Sequence, residues 1–434
     1  MTSTPIFVGH AERRRGMVAL VFLIFFVMSL LTNILAPIIP DILQSFRLSL
    51  TSAAFLPFSF FAAYGVMSIP AGMLISAFSE KAVIVSAYAA ALFGALTFAL
   101  FPTYSVAVPS LFVIGAGMAM LQVAINPLLR VAGGEEHMAF NSATAQFIFG
   151  SASFLSPYLY SYLVRNVGRD RSNVVLAALA SLVPSRLPWV SLYWLFALVS
   201  ALMLAGMWMT RFPAVELNAG EAIGTWPTLM ALLRKRVVLM YFISTFAYVG
   251  SEQGTADWMS QFLKTYHHFD PQTTGAYAVS WFWGLLTVGC LLGMILLKIF
   301  DSTRVLIAFS LAAVAALTAA LFGSAQWSLL AFPAIGLFAS IMWPVIISLA
   351  LNSVAEHHGS VSGVLCTGIC GGAIVPLIIG KLGDLFGLQI GMLFLYVTFG
   401  CVLSVGFWAR PLIKNKVIGR SQNGQIEEIG NQSI

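Results

Sequence analysis

The chain holds 434 residues, of which 59% are hydrophobic and 9% charged, and its mean hydropathy is +0.91. Soluble domains carry about 25% charged residues, so this composition excludes a string of soluble domains and makes the lipid bilayer the chain's main solvent and partner. The formal net charge of +6 does not point to nucleic acid, because the basic residues fall in short segments between apolar runs and not on a periodic polar face.

In chain order, apolar runs of about 20 residues, the length that crosses a bilayer as a helix, lie near Met17–Ile39, Ala53–Ala77, Ala82–Phe101, Val106–Leu129, Phe140–Leu163 and Val190–Met209. A second set lies near Val238–Phe262, Thr274–Leu297, Val305–Phe322, Leu329–Val354, Val361–Leu385 and Ile390–Trp408. Lipid cannot satisfy open backbone groups, so each run is predicted to be a helix. Arg13, Arg14 and Arg15 ahead of the first run look like the start of a signal peptide, but the run is too long and no small-residue cleavage site follows. It is taken as the first span. The expected fold class is an all-α membrane protein of twelve transmembrane helices.

With both termini on one side, that side carries 15 of the 22 Lys and Arg residues and the other 7, which predicts cytoplasmic termini by the positive-inside rule. The segment Arg165 to Arg186 runs against this count with four outer arginines. Between the two sets, Phe212 to Arg236 is the long polar stretch, with Pro213, Glu216, Glu221, Pro227 and the cluster Arg234, Lys235, Arg236. The expected division is an amino-terminal half over 1–211, a cytoplasmic linker over 212–236, a carboxyl-terminal half over 237–412 and a tail over 413–434.

The halves read as repeats. A shift of 219 residues lays Pro157 on Pro376 and Asn141 on Ser360, and a shift of 221 lays Gly72, Met73 and Glu80 on Gly293, Met294 and Asp301. Two parallel six-helix repeats joined by a central linker are the plan of the major facilitator fold, whose substrate site lies near mid-membrane between the halves.

Specific motifs sharpen the reading. Gly336-Leu-Phe-Ala-Ser-Ile-Met-Trp-Pro344, Ser362-Gly363, Gly371-Gly-Ala-Ile-Val-Pro376 and Gly380-Lys-Leu-Gly-Asp384 stand in the second half. Ile69-Pro-Ala-Gly72, Gln122-Val-Ala-Ile-Asn-Pro127 and Tyr248-Val-Gly-Ser-Glu252 extend the pattern over most of the chain. Together they resemble the fucose/galactose/glucose symporters of the major facilitator superfamily. That resemblance implies alternating-access uptake of a hexose or deoxyhexose, coupled to H+ or Na+, by a monomer in the bacterial inner membrane, with no cofactor. The chain also departs from the family: Ala36 and Gln122 stand where fucose-type members carry acids, Pro57, Thr144 and Phe147 replace polar positions, and Cys290 replaces an arginine of the eighth span.

Intramembrane carboxylates are costly and mark function. Counted from Val238 at 1.5 Å per residue, Glu252 lies roughly 21 Å into the seventh span and Asp257 roughly 29 Å. Five residues turn a helix by about 140°, so the two cannot share a face. Glu252 is the leading coupling residue; Asp257 is the second, with capping or bridging between helices as its plain alternative. The 219-residue shift places Asn33 on Glu252, and the resemblance makes Asn33 a substrate contact. Gln122 and Asn126, spaced i and i+4, share a face and offer amides to sugar hydroxyls, or to neighbouring helices. Among the aromatics Trp258, Trp281, Trp283, Tyr277 and Trp343, Trp281 and Trp343 are the candidates to lie against a sugar ring.

Cys290, Cys366, Cys370 and Cys401 show no C-x-x-C spacing and the His267-His268 and His357-His358 pairs diverge along the chain, so neither disulfide nor metal site is expected. Asp41 lies close to Arg47 and Asp384 near Lys381, and local ion pairs or helix-end effects are expected to account for these charges. No nucleophile elbow, phosphate loop or H-E-x-x-H appears, which argues against an enzyme. The competing function is export of amphipathic compounds on the same fold; a sugar uniporter and a membrane sensor are the others.

Overall fold

The computed structural model describes residues 6–133, 138–169, 172–210, 212, 226–354 and 358–410. Residues 213–225 of the expected linker over 212–236, and the expected tail over 413–434, lie outside the described residues. The first set of helices is α1 (Ile6–Thr32), α2 (Leu35–Phe46), α3 (Leu50–Ala77), α4 (Glu80–Leu100), α5 (Tyr104–Gly133), α6 (Met138–Asn166), α7 (Val174–Leu182) and α8 (Ser191–Met209). The second is α9 (Trp226–Arg234), α10 (Arg236–His267), α11 (Ala276–Ile299), α12 (Ser302–Phe322), α13 (Ala325–Ala339), α14 (Met342–Asn352), α15 (His358–Thr367), α16 (Gly371–Phe386), α17 (Leu388–Met392) and α18 (Phe394–Trp408). Two of these fall where loops were expected: α7 in the arginine-bearing segment, and α9 inside the expected linker, where Leu232 is buried.

Among the described residues, ten helical segments are long and apolar enough to cross a membrane, from Gly16–Phe46 to Leu388–Trp408. The helices α6 and α10, with 29 and 32 residues, reach about 43 and 48 Å at 1.5 Å per residue. This is an integral membrane protein.

Prolines account for two of the helix breaks. Pro37 has no N–H to offer the Asn33 carbonyl one turn back, and the helix gives way at Asn33 and Ile34, between α1 and α2. Pro344 does the same to Ser340, and the break at Ser340 and Ile341 separates α13 from α14. Each expected span there is thus two helices.

In the first set α3 packs on α5, α5 on α4, α4 on α8 and α1 on α6. In the second α11 packs on α13, α13 on α12, α12 on α18 and α10 on α16, the same pattern in the same chain order. Glycine sets the closest approaches. A Cβ on Gly115 would strike the Phe60 carbonyl oxygen, and one on Gly336 the Phe282 carbonyl oxygen. Gly115 and Gly336 are 221 residues apart, the shift read from the sequence. Two apolar cores result, one around Tyr88, Phe98 and Tyr193, the other around Phe262, Phe282 and Phe399. Their seam runs along α2–α10, α3–α16 and α6–α11, where Ala36, Ala53 and Ala54 join the second core and Ala276 and Ala373 the first. Small residues there let the backbones of the two sets come close.

Candidate functional site

Glu252 lies near the middle of α10. The Tyr248 hydroxyl, one turn earlier on the same face, donates to Glu252 Oε2, and Gln253 Nε2 reaches Oε1 at 3.4 Å. The Tyr248 ring is 6.1 Å from that of Trp343, at the start of α14, tilted by 44°. Cys290 of α11 stands near enough to interact with the Glu252 charge. Its thiol donates to the Ser340 carbonyl at 3.4 Å, the acceptor that Pro344 leaves without an N–H. Three elements of the second set thus converge: α10 with a carboxylate, a phenol and an amide, α11 with a thiol, and the α13–α14 break with an indole.

The other sequence candidates are placed elsewhere. Asn33, 4% exposed at the α1–α2 break, donates through Nδ2 to Ser153 Oγ of α6 at 2.8 Å. Ser153 Oγ is 2.7 Å from Ser29 Oγ, and both serines donate to the Phe149 carbonyl. This is an interhelical knot within the first set. Gln122 is half-buried on α5. The side chain of Asn126, one turn on, lies outside the described residues. Trp281 sits at the α6–α11 seam, 51% exposed and edge-on to Phe154 with centroids 5.4 Å apart. Next to it the Tyr158 and Tyr277 rings stack at 4.9 Å. Trp258 is fully buried and donates to the Pro376 carbonyl at 3.1 Å, so it packs α10 on α16.

Asp257 does not share the Glu252 face, as expected from their spacing. It is 2% exposed, and its Oδ2 has no hydrogen-bond partner. Capping or bridging does not account for that oxygen.

Asp41 and Asp384 make contacts across the seam, and for Asp384 these are the helix-end effect, not the local ion pair, of the two alternatives the sequence offers. Asp41 is 7% exposed and accepts from the Tyr160 hydroxyl of α6 at 2.7 Å and from Gln272 Nε2, just before α11, at 3.2 Å. Lys264 Nζ of α10 reaches Gln44 Oε1 of α2 at 3.5 Å. Asp384, at the end of α16, accepts from the backbone N–H groups of Leu50 and Thr51 at 2.8 Å each and from the Thr51 hydroxyl at 2.5 Å. A carboxylate at the first turn of α3 sits where the helix leaves N–H groups unpaired and the dipole favours negative charge. These contacts tie the two sets together at the end of the bundle remote from the ends of the chain. Sequence separations of 119 to 334 residues kept them out of reach of local reasoning, whereas Tyr248, at i−4 from Glu252, was accessible to it.

Residues 21–376 match the model of the Major Facilitator Superfamily. The glucose/galactose transporter of Brucella abortus biovar 1 (strain 9-941) is 31% identical over 400 residues, covering 88% of this chain and 92% of that protein. The L-fucose-proton symporter of Escherichia coli (strain K12) is 28% identical over 389 residues, covering 85% and 87%. The solved structure of the E. coli fucose:proton symporter FucP superposes with a TM-score of 0.65 at 23% identity, covering 91% of this chain and 98% of that one. Fold, repeated packing and similarity along most of the chain agree: it belongs to the Major Facilitator Superfamily of transporters, and is not an enzyme.

Proposed function

We propose that the protein imports a monosaccharide, a hexose or deoxyhexose, across the bacterial inner membrane by alternating access, as a symporter driven by H+ or Na+. In this reading α6 and α10 complete a set of twelve spans, the halves are 1–211 and 237–412 with a cytoplasmic linker over 212–236, both termini are cytoplasmic, and the monomer is the working unit. The observation that carries it is the Glu252 cluster: a carboxylate held by Tyr248 and Gln253 beside the Trp343 ring, in a chain whose relatives are named as glucose/galactose and fucose transporters. An indole suits the apolar face of a sugar, and neutral hydrogen-bonding groups suit its hydroxyls. Gln122 and Asn126 of α5 are proposed to face the sugar from the other half. Glu252 is proposed to carry the coupling step, since a carboxylate in the bilayer costs about 2.5–3.5 kcal/mol or more unless neutralised by a proton or cation.

The test is uptake and counterflow of labelled glucose, galactose and fucose in proteoliposomes, with and without imposed proton or sodium gradients. Glu252→Gln should lose accumulation against a gradient and retain exchange at equal concentrations, because exchange needs the site to reorient but no net ion movement. Accumulation by Glu252→Gln at the parent's rate would make Glu252 structural. Failure of every sugar while lipophilic cations compete hands the function to export of amphipathic compounds.

A further inference from the structure

One turn of α10 carries three oxygen-bearing side chains that the sugar site does not use. Asp257, Ser260 and Gln261 follow at i, i+3 and i+4, and at 100° per residue they share one face. Asp257 is 2% exposed and Ser260 fully buried. Asp257 Oδ2, Ser260 Oγ and Gln261 Oε1 are each buried and without a hydrogen-bond partner. They do not bond one another either. Gln261 Nε2, in contrast, donates to Thr265 Oγ1 at 3.1 Å, which leaves the amide oxygen turned away from that bond.

A glycine backbone packs close against one of these oxygens. Ser260 faces Gly275, where a Cβ would collide with Ser260 Oγ. Gly275 ends a π-helical turn, Pro271–Gly275, in which its N–H reaches back to the Asp270 carbonyl at 3.0 Å. Such turns mark functional sites in helices. Here glycine at its end keeps the start of α11 off the Ser260 hydroxyl. Helix α2 also packs on α10, and it carries Ala36 where the family has an acid.

A buried orphan acceptor calls for a missing donor, water or ion. Three acceptor oxygens on one face, one of them a carboxylate, present what a hard cation takes as ligands. A single carboxylate neutralises a single charge. A divalent ion would leave a net positive charge in the bilayer, where charge is expensive. A proton on Asp257 would satisfy one oxygen and leave the others unpaired. We infer that Asp257, Ser260 and Gln261 form a binding site for a dehydrated monovalent cation of the sodium class, on the seventh span and separate from the Glu252 cluster; its use in transport rests on the symport reading, its existence does not.

Thermal unfolding of the purified full-length protein, without sugar, at constant ionic strength with Na+, Li+, K+ or choline, tests the site. Na+ should raise the midpoint by an amount that grows logarithmically above the dissociation constant, with choline inert. Asp257→Asn should abolish the shift, and Ser260→Ala should weaken Na+ binding by about tenfold. Glu252→Gln should keep the shift. If no alkali cation stabilises the parent, or Asp257→Asn responds as the parent does, the site does not exist. A shift lost in Glu252→Gln but kept in Asp257→Asn would place the ion at Glu252 and overturn this inference while leaving symport intact. A Na+ shift in a protein that exchanges no sugar would sink the sugar reading and leave the site standing.

Discussion

Asp384 is the clearest point at which one side chain holds the two halves together. Its carboxylate accepts two backbone N–H groups at 2.8 Å and the Thr51 hydroxyl at 2.5 Å, all from the first turn of α3. Buried, three charge-assisted bonds at a helix N-terminus would be worth several kcal/mol, but Asp384 is exposed, and screening reduces the set to about 1–2 kcal/mol. Asp384→Ala removes the acceptor while Ser49 still caps the helix by accepting from the Ser52 N–H at 3.2 Å, so the fold should survive. In the proposed alternating access, with both termini cytoplasmic, this contact exists only with the outer end closed. Its loss should shift the population toward outward-open by about 5- to 30-fold. Spin labels on Thr103→Cys and Ser324→Cys, exposed positions before α5 and before α13, would report the change as a longer component in the pulsed-dipolar distance distribution. Both proteins would carry serine in place of the four native cysteines. A distribution in Asp384→Ala that superimposes on the parent's would refute the idea that this contact latches the outer end.

Two further outcomes follow from the packing. Gly336→Ala should force α13 away from the Phe282 carbonyl and cost about 1–3 kcal/mol, read as a lower unfolding midpoint in detergent; an unchanged midpoint would mean the helices part without strain. Asn33→Ala and Ser153→Ala should each destabilise, with a coupling energy of about 0.6–1.7 kcal/mol in the double-mutant cycle. A raised KM for sugar at an unchanged midpoint in Asn33→Ala would instead return Asn33 to the substrate site.

Much of the architecture was legible because bilayer physics writes it into short windows. Apolar runs mark the helices, and the 221-residue shift that pairs Gly72 with Gly293 also pairs Gly115 with Gly336, two glycines at close helix approaches. Helix breaks were written too, in Pro37 and Pro344, each four residues after the carbonyl it leaves open. Long-range partners were not. Asp41 next to Arg47 and Asp384 next to Lys381 suggest ion pairs only because nearness along the chain is all that a sequence displays; the structure gives Asp41 to Tyr160 and Gln272, and Asp384 to α3. The contact that Asn33 makes was out of reach for a related reason. A repeat shift aligns backbones, whereas the bond to Ser153 depends on which side chain α6 presents at that height.

The resemblance puts an arginine at Cys290 and, in fucose-type members, acids at Ala36 and Gln122, and the proposed function reads these replacements as one change. An arginine beside Glu252 would form a resident ion pair, satisfied in every state of the cycle, and the mobile charge would then belong to carboxylates elsewhere. Here the neighbour is a thiol occupied with the Ser340 carbonyl, and Glu252 is met by a phenol and an amide, both neutral. Removing a buried charge without its partner is costly, so loss of the arginine alone would strand Glu252. In the proposed symporter, what meets that carboxylate in place of the arginine is a proton or cation that comes and goes, coupling a gradient to the motion of the halves. With Ala36 and Gln122 unable to bind it, the coupling ion of the proposed symporter moves from the first and fourth spans to the seventh.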